Sequence, residues 1–238
     1  MGLAWRLAAS YRVVTFDLRA RFVGTPTWEV LERDLARVVE RHVTGPAVVM
    51  GHSLGAALAQ RWALAQPEGV SALVLSSPFA RVTGARGVAW KRYGEQPLVL
   101  ASLRWLPEPL GRDIGSRSGP ARRVGVRRKR CQGAALDLLR FGIRRHAALG
   151  LGRDAVRLAF AHDARNELRR LSLPTLLIVG ERESPWARAA EAEIARLLPA
   201  AVRRMSPGAA HLHPLVVARM AGRRGGGLAR EPPGGRSR

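Results

Sequence analysis

The sequence predicts an α/β fold, a mostly parallel sheet with helices on both faces and a helical cap inserted between two strands. Three observations carry that expectation. Short apolar runs alternate with helical stretches over residues 11–76 and again over 174–221, which is the rhythm of a parallel sheet with helical crossovers. The pentapeptide Gly51-His52-Ser53-Leu54-Gly55 stands where one apolar run ends and a helical one begins. Residues 81–170 then break the rhythm, being helical or irregular, arginine-rich and punctuated by Pro97, Pro107, Pro109 and Pro120.

In chain order, residues 11–16 (YRVVTF) form a β-rich run ending at Asp17 and read as the first strand. Residues 27–43 read as an amphipathic helix, because Val30, Leu31, Leu35, Val38 and Val39 fall on one face. Gly45-Pro46 stops it. Residues 47–50 are apolar throughout, as in a buried strand, and a helix over 56–65 follows, closed by Pro67. Residues 70–76 (VSALVLS) are another strand. The rhythm resumes at residues 174–179 (PTLLIV), followed by a helix over 186–198, a short strand over 201–205, the loop of His211 and a last helix over 215–221. A helical insert between parallel strands reads as a lid over their C-terminal ends, where open α/β sheets bind ligands. The tail from Gly222 on cannot build a core and reads as disordered. The domain reading is a core of residues 1–80 and 171–221, a helical cap of 81–170 and a basic tail of 222–238.

Length and composition fit this plan. A chain of 238 residues suits one domain with an insert, and 47% hydrophobic residues suffice for its core. No apolar run reaches the length of a membrane span, and the start (MGLAWR) does not read as a signal peptide. The single Cys131 excludes an internal disulfide and fits a cytoplasmic location. The net charge of +22 comes from 40 basic residues of which only Lys91 and Lys129 are lysines. Abundant arginine, alanine, glycine and proline reflect a GC-rich coding sequence. The densest run, residues 122–130, has no interleaved aromatics for base stacking and reads as a solvated face, not a specific nucleic-acid site.

The pentapeptide has the form G-x-S-x-G. By chance it should arise in roughly one chain in ten of such composition, so its setting carries the weight. Strand, sharp turn and helix make it a nucleophile elbow, with the serine hydroxyl exposed above the sheet. The two glycines are expected to avoid collisions with the neighbouring strand and helix. An acidic residue after a strand (Glu183) and then a histidine (His211) follow in the order such a site requires.

The chain resembles the α/β-hydrolase superfamily, in its cap-containing branch, from about Leu7 to Ala221. The likeness is densest in YRVVTFDLR, in VVMGHSLGAALAQRWALAQPEGVSALVLSSP, and in LPTLLIVGERESP with PGAAHLHPL. It implies Ser53 as nucleophile, His211 as general base, Glu183 as the acid where the family usually has aspartate, and the Leu54 N–H as half of an oxyanion hole. The family also has a strand before the YRVVTF-like one, whose loop supplies the second oxyanion donor. This chain starts at about the helix after that loop. The expected consequence is a vacancy beside the nucleophile strand about two strand spacings wide, near 10 Å. Ala20-Arg21-Phe22-Val23 replaces the family's glycine-rich stretch. A wrong gene start with a local frame slip, or a true fragment, would account for both.

The function read from this is a serine hydrolase of small, partly apolar carboxylic esters or lactones, with no cofactor, no metal, no specific nucleic acid and no membrane partner. The alternative is an impaired, hydrolase-like binding protein. Other residues have plainer readings. His213 is a rim histidine that competes with His211, and Glu181 competes with Glu183. His52 is packing or pocket wall, its side chain pointing away from Ser53. Asp17 caps a turn. Leu100, Trp90 and Trp105 line either an acyl pocket or the cap's own core, and Cys131 has no catalytic partner nearby.

Overall fold

Three apolar runs and the more polar VRRMS segment become four strands in a computed structural model that describes residues 2–19, 22, 24–82, 151–209 and 211. They are β1 (Ala47–His52), β2 (Val70–Ser76), β3 (Thr175–Gly180) and β4 (Val202–Ser206), all parallel and adjacent in chain order. The helices are α1 (Gly2–Leu7), α2 (Trp28–His42), α3 (Leu54–Ala65), α4 (Leu151–Ala161), α5 (Arg165–Leu168) and α6 (Pro185–Leu197). Because the strands are parallel and in register, their C-terminal ends share one edge of the sheet.

The two faces of the sheet are covered unequally. Leu73 and Leu75 of β2 and Leu177 of β3 are buried with Ala56, Ala59 and Ala63 of α3, Leu168 of α5, and Ile194 and Leu197 of α6. Burying each leucine contributes about 1.5–3 kcal/mol. A second cluster joins Trp28, Leu31 and Leu35 of α2 to Ala57 and Leu58 of α3, Phe79, and Leu158 of α4. Helix α3 is thus apolar on two sides, one for the sheet and one for α2 and α4. The other face of the sheet is more open. Met50, Val74, Leu176 and Val202 form one row across it, and Met50 and Val202 at its ends are exposed.

The predicted first strand is not a strand. Residues 11–16 have no regular structure, and Tyr11, Val14 and Phe16 are exposed. A β-rich run becomes a strand only by exchanging backbone hydrogen bonds with a neighbour about 4.8 Å away. Among the described residues, β1 is the outer strand and has no partner on its free side. Residues 83–150, most of the predicted cap, lie outside the described residues, as do the predicted last helix and tail. The returning part of the insert is helical, and Trp28 Nε1 donates to Leu158 O at 2.9 Å. A bridge between Arg81 and Asp163 brings the departing and returning chain together. Among the described residues no helix is long and apolar enough to cross a membrane.

Arg19 and Arg203 form fork-like pairs with Asp34 and Glu191. The Arg203 pair ties β4 to α6 through a carboxylate that is itself buried.

His162 follows α4 and is buried against the rings of Trp28 and Phe79. Its Nε2–H donates to Gln60 Oε1 at 3.3 Å, and Gln60 Nε2 in turn donates to Phe79 O at 3.2 Å. Burial, with the positive charge of Arg61 added, lowers the pKa of His162 from 6.5 to about 4. Above pH 6.5 the imidazole is neutral both folded and unfolded. Between the two values only the unfolded chain takes up the proton, so stability falls as the pH falls through that window, by up to about 3 kcal/mol. His162→Phe is expected to remove this part of the pH dependence, whatever its effect on stability at neutral pH. Urea midpoints of both proteins from pH 7.5 to 4.5 measure it; parallel curves would show that His162 does not titrate in this way.

Candidate active site

Ser53 makes the whole turn between β1 and α3. Its backbone has φ 52° and ψ −116°, a region that side chains rarely adopt and that costs on the order of 1–3 kcal/mol. Three bonds hold it there. Its N–H donates to Ser76 O at 2.9 Å, and its carbonyl accepts from Ala56 N–H at 2.9 Å and from Ala57 N–H at 3.2 Å.

The two motif glycines prove unequal. A Cβ on Gly51 would lie 2.1 Å from Gly55 O and 2.6 Å from Ala56 N, so only glycine allows the strand to come this close to the helix. A Cβ on Gly55 would meet nothing within 4 Å. The expectation of a collision on both sides is corrected at Gly55. There the backbone, not an absent side chain, is what Gly51 approaches.

The loops leaving β1, β3 and β4 bring Ser53, Glu183 and His211 together. His211 Nε2 lies 3.2 Å from Ser53 Oγ, and His211 Nδ1 lies 3.0 Å from Glu183 Oε1. An ionised carboxylate only accepts, so Nδ1 carries the proton and the Ser53 hydroxyl donates to Nε2. The Glu183 side chain is 3% exposed and that of His211 39%. The carboxylate is sealed from water while the imidazole remains reachable.

Each group is held by its own loop. Glu183 directly precedes the N-cap of α6, Ser184, which accepts from Ala187 N–H at 3.2 Å, and Pro185 takes the first helical position. The Glu183 N–H donates to Gly180 O at 3.1 Å, closing a tight turn. Arg182 N–H donates to Ala209 O at 2.7 Å, joining this turn to the loop of His211. Glu181, the competing acid, braces the same loop by accepting from Gly208 N–H at 2.5 Å.

Leu54 opens α3. Its N–H is one of the four amides that a helix cannot satisfy internally, and it sits at the positive end of the helix dipole, a place that favours an anion. The ring of His52 packs against that of His211 with centroids 5.0 Å apart, and its Nδ1 lies 2.9 Å from the Ser76 hydroxyl. Sequence reasoning did not single out Ser76 or Ser77. Ser77 Oγ donates to Glu183 Oε1 at 2.5 Å. The available signal was the pair of adjacent hydroxyls at the end of the VSALVLS strand. Leu100, Trp90, Trp105, Cys131 and His213 lie outside the described residues. Among those described, no group of three or more His, Cys, Asp or Glu side chains converges as a metal site would require.

A family model described as serine aminopeptidase, S33, matches residues 23–215. The lipase LipV of Mycobacterium tuberculosis is 44% identical over 52 residues, 22% of this chain and 20% of the relative. The matched stretches span between 20% and 45% of the lengths of the curated relatives. Among solved structures, Rv0554 from Mycobacterium tuberculosis superposes with a TM-score of 0.67 at 25% identity, covering 90% of this chain and 79% of that one. A thermophilic esterase from Thermogutta terrifontis gives a TM-score of 0.68 at 23% identity, with coverage of 92% and 81%, a likeness of fold.

The glycine geometry makes a paired prediction. Gly51→Ala should destabilise the protein by at least about 2 kcal/mol, because the contacted atoms are backbone and cannot turn aside. Gly55→Ala should change stability by less than about 1 kcal/mol. Urea unfolding of the two variants beside the parent measures both, and equal midpoints for all three would contradict the close approach at Gly51.

Proposed function

The chain belongs to the serine aminopeptidase S33 family of the α/β-hydrolase superfamily, and on that premise we propose that it is a serine hydrolase cleaving carboxylic esters or lactones of small, partly apolar substrates. One observation carries the reading: the unbroken hydrogen-bonded path from Ser53 Oγ through His211 to Glu183.

The path suits acyl transfer. Ser53 Oγ attacks the carbonyl carbon as its proton passes to His211 Nε2, the atom it already faces. Glu183 holds the imidazole in the required tautomer and stabilises the imidazolium that forms. The Leu54 N–H, at the start of α3, is the donor placed to hold the tetrahedral oxyanion. Each such donor contributes roughly 2.7–4 kcal/mol to lowering the barrier. His211 then gives the proton to the departing alkoxide, and water, activated by the same imidazole, releases the acid and restores Ser53. The steps use the side chains of Ser53, His211 and Glu183, the Leu54 N–H and water.

Esters are favoured over amides because an alkoxide leaves more readily than an amine, and LipV, which matches over a short stretch, is named a lipase. The family model's description points to peptides, so the test includes both substrate classes.

A fluorophosphonate probe should label the protein, and Ser53→Ala should abolish the label. Glu183→Gln should lower the ester turnover rate by up to about 10⁴-fold, as loss of the correct tautomer does elsewhere. Hydrolysis of p-nitrophenyl butyrate should exceed that of alanine p-nitroanilide. An unlabelled parent protein would leave binding without turnover as the reading. Equal labelling of Ser53→Ala would mean that another serine reacts.

A further inference from the structure

We infer that Ser77 is a positioning residue of this site, its hydroxyl fixing the Glu183 carboxylate against His211; the inference rests on the acyl-transfer reading above. Glu183 Oε1 receives two donors, Ser77 Oγ–H at 2.5 Å and His211 Nδ1–H at 3.0 Å. Both therefore act on a single oxygen, and the serine determines where that oxygen sits.

The reason lies in the length of the acid. Glutamate has one more rotatable bond than aspartate, so its carboxylate can swing through more positions at the end of the same loop. A short, charge-assisted bond from a fixed donor removes that freedom. Ser77 is such a donor. It is buried, it directly follows β2, and its N–H donates to Ile178 O at 2.8 Å, continuing the ladder between β2 and β3. Its backbone has φ 44°, a left-handed conformation uncommon for any residue but glycine, asparagine or aspartate. A serine kept where glycine would be easier implies that its side chain is used. Pro78, which follows, is among the fully buried residues and restricts the turn further.

Two variants separate the hydroxyl from the backbone. Ser77→Ala removes the hydroxyl and keeps the strain, whereas Ser77→Gly removes both. Each should lower kcat for p-nitrophenyl butyrate by about ten- to a hundredfold, with KM within about twofold of the parent. In a Glu183→Gln background the Ser77→Ala change should have less than about a twofold effect, since a residue acting through Glu183 has nothing left to position. A second readout needs no turnover. The Nδ1 proton of His211 is expected far downfield in the NMR spectrum of the parent and should shift upfield or broaden in both Ser77 variants.

Three results would overturn the inference: a Ser77→Gly protein with the parent's kcat, an equal loss from Ser77→Ala with and without Glu183, or an unmoved Nδ1 proton. Failure of the hydrolase reading shows separately, as a parent protein that takes no probe; the proton signal then decides the role of Ser77 by itself.

Discussion

The approach of Gly51 to the carbonyl of Gly55 is the constraint on which the site depends. It lets α3 start one residue after β1 ends, and Ser53 alone must then reverse the chain. The resulting backbone strain is sustained because the elements on either side are fixed independently. Strand β1 is paired with β2, and α3 is apolar toward both the sheet and the helical layer. A turn between two mobile segments would relax, and the hydroxyl would lose its place above the sheet.

The same logic repeats along the sheet edge. Ser53 N–H donates to Ser76 O, Ser77 N–H to Ile178 O, and Glu181 N–H to Ser206 O. Each of these loops therefore begins with a bond to the next strand, so the ladder extends into the candidate site. This placement brings together side chains 158 residues apart in the chain, Ser53 and His211, without a long loop having to find its own conformation. Parallel register makes it possible, since all four strands end on the same side. The loop of His211 is held by Glu181 and Arg182, and its Ala209 is buried.

Polar groups near the site are arranged by burial. The acid is sealed and receives two donors, while the imidazole is half-open to solvent. A buried carboxylate would be costly if left unpaired, and here the hydroxyl that follows β2 and the histidine both meet it. The open face of the sheet, with Val48, Met50 and Val202 exposed, lies apart from this arrangement.

Much of the site was legible in the chain itself. The G-x-S-x-G run pointed to Ser53, the resemblance put the acid at Glu183 with Glu181 competing, and the helix over 27–43 appears as Trp28–His42 because its apolar period is strong. These are local patterns, and local chemistry fixes them. Residues 11–16 mark the limit, because their β-rich composition states only a capacity to pair, and pairing belongs to a neighbour that the pattern cannot supply. The same holds for Gly55, whose role depends on which backbone atoms face it. It holds again for Glu181 against Glu183, two carboxylates of similar promise that only the fold separates, one bracing a loop and the other meeting His211. Sequence determined which residues could do the chemistry. Tertiary structure decided which of them meet, because distance across the sheet edge depends on register and burial, which no single segment encodes.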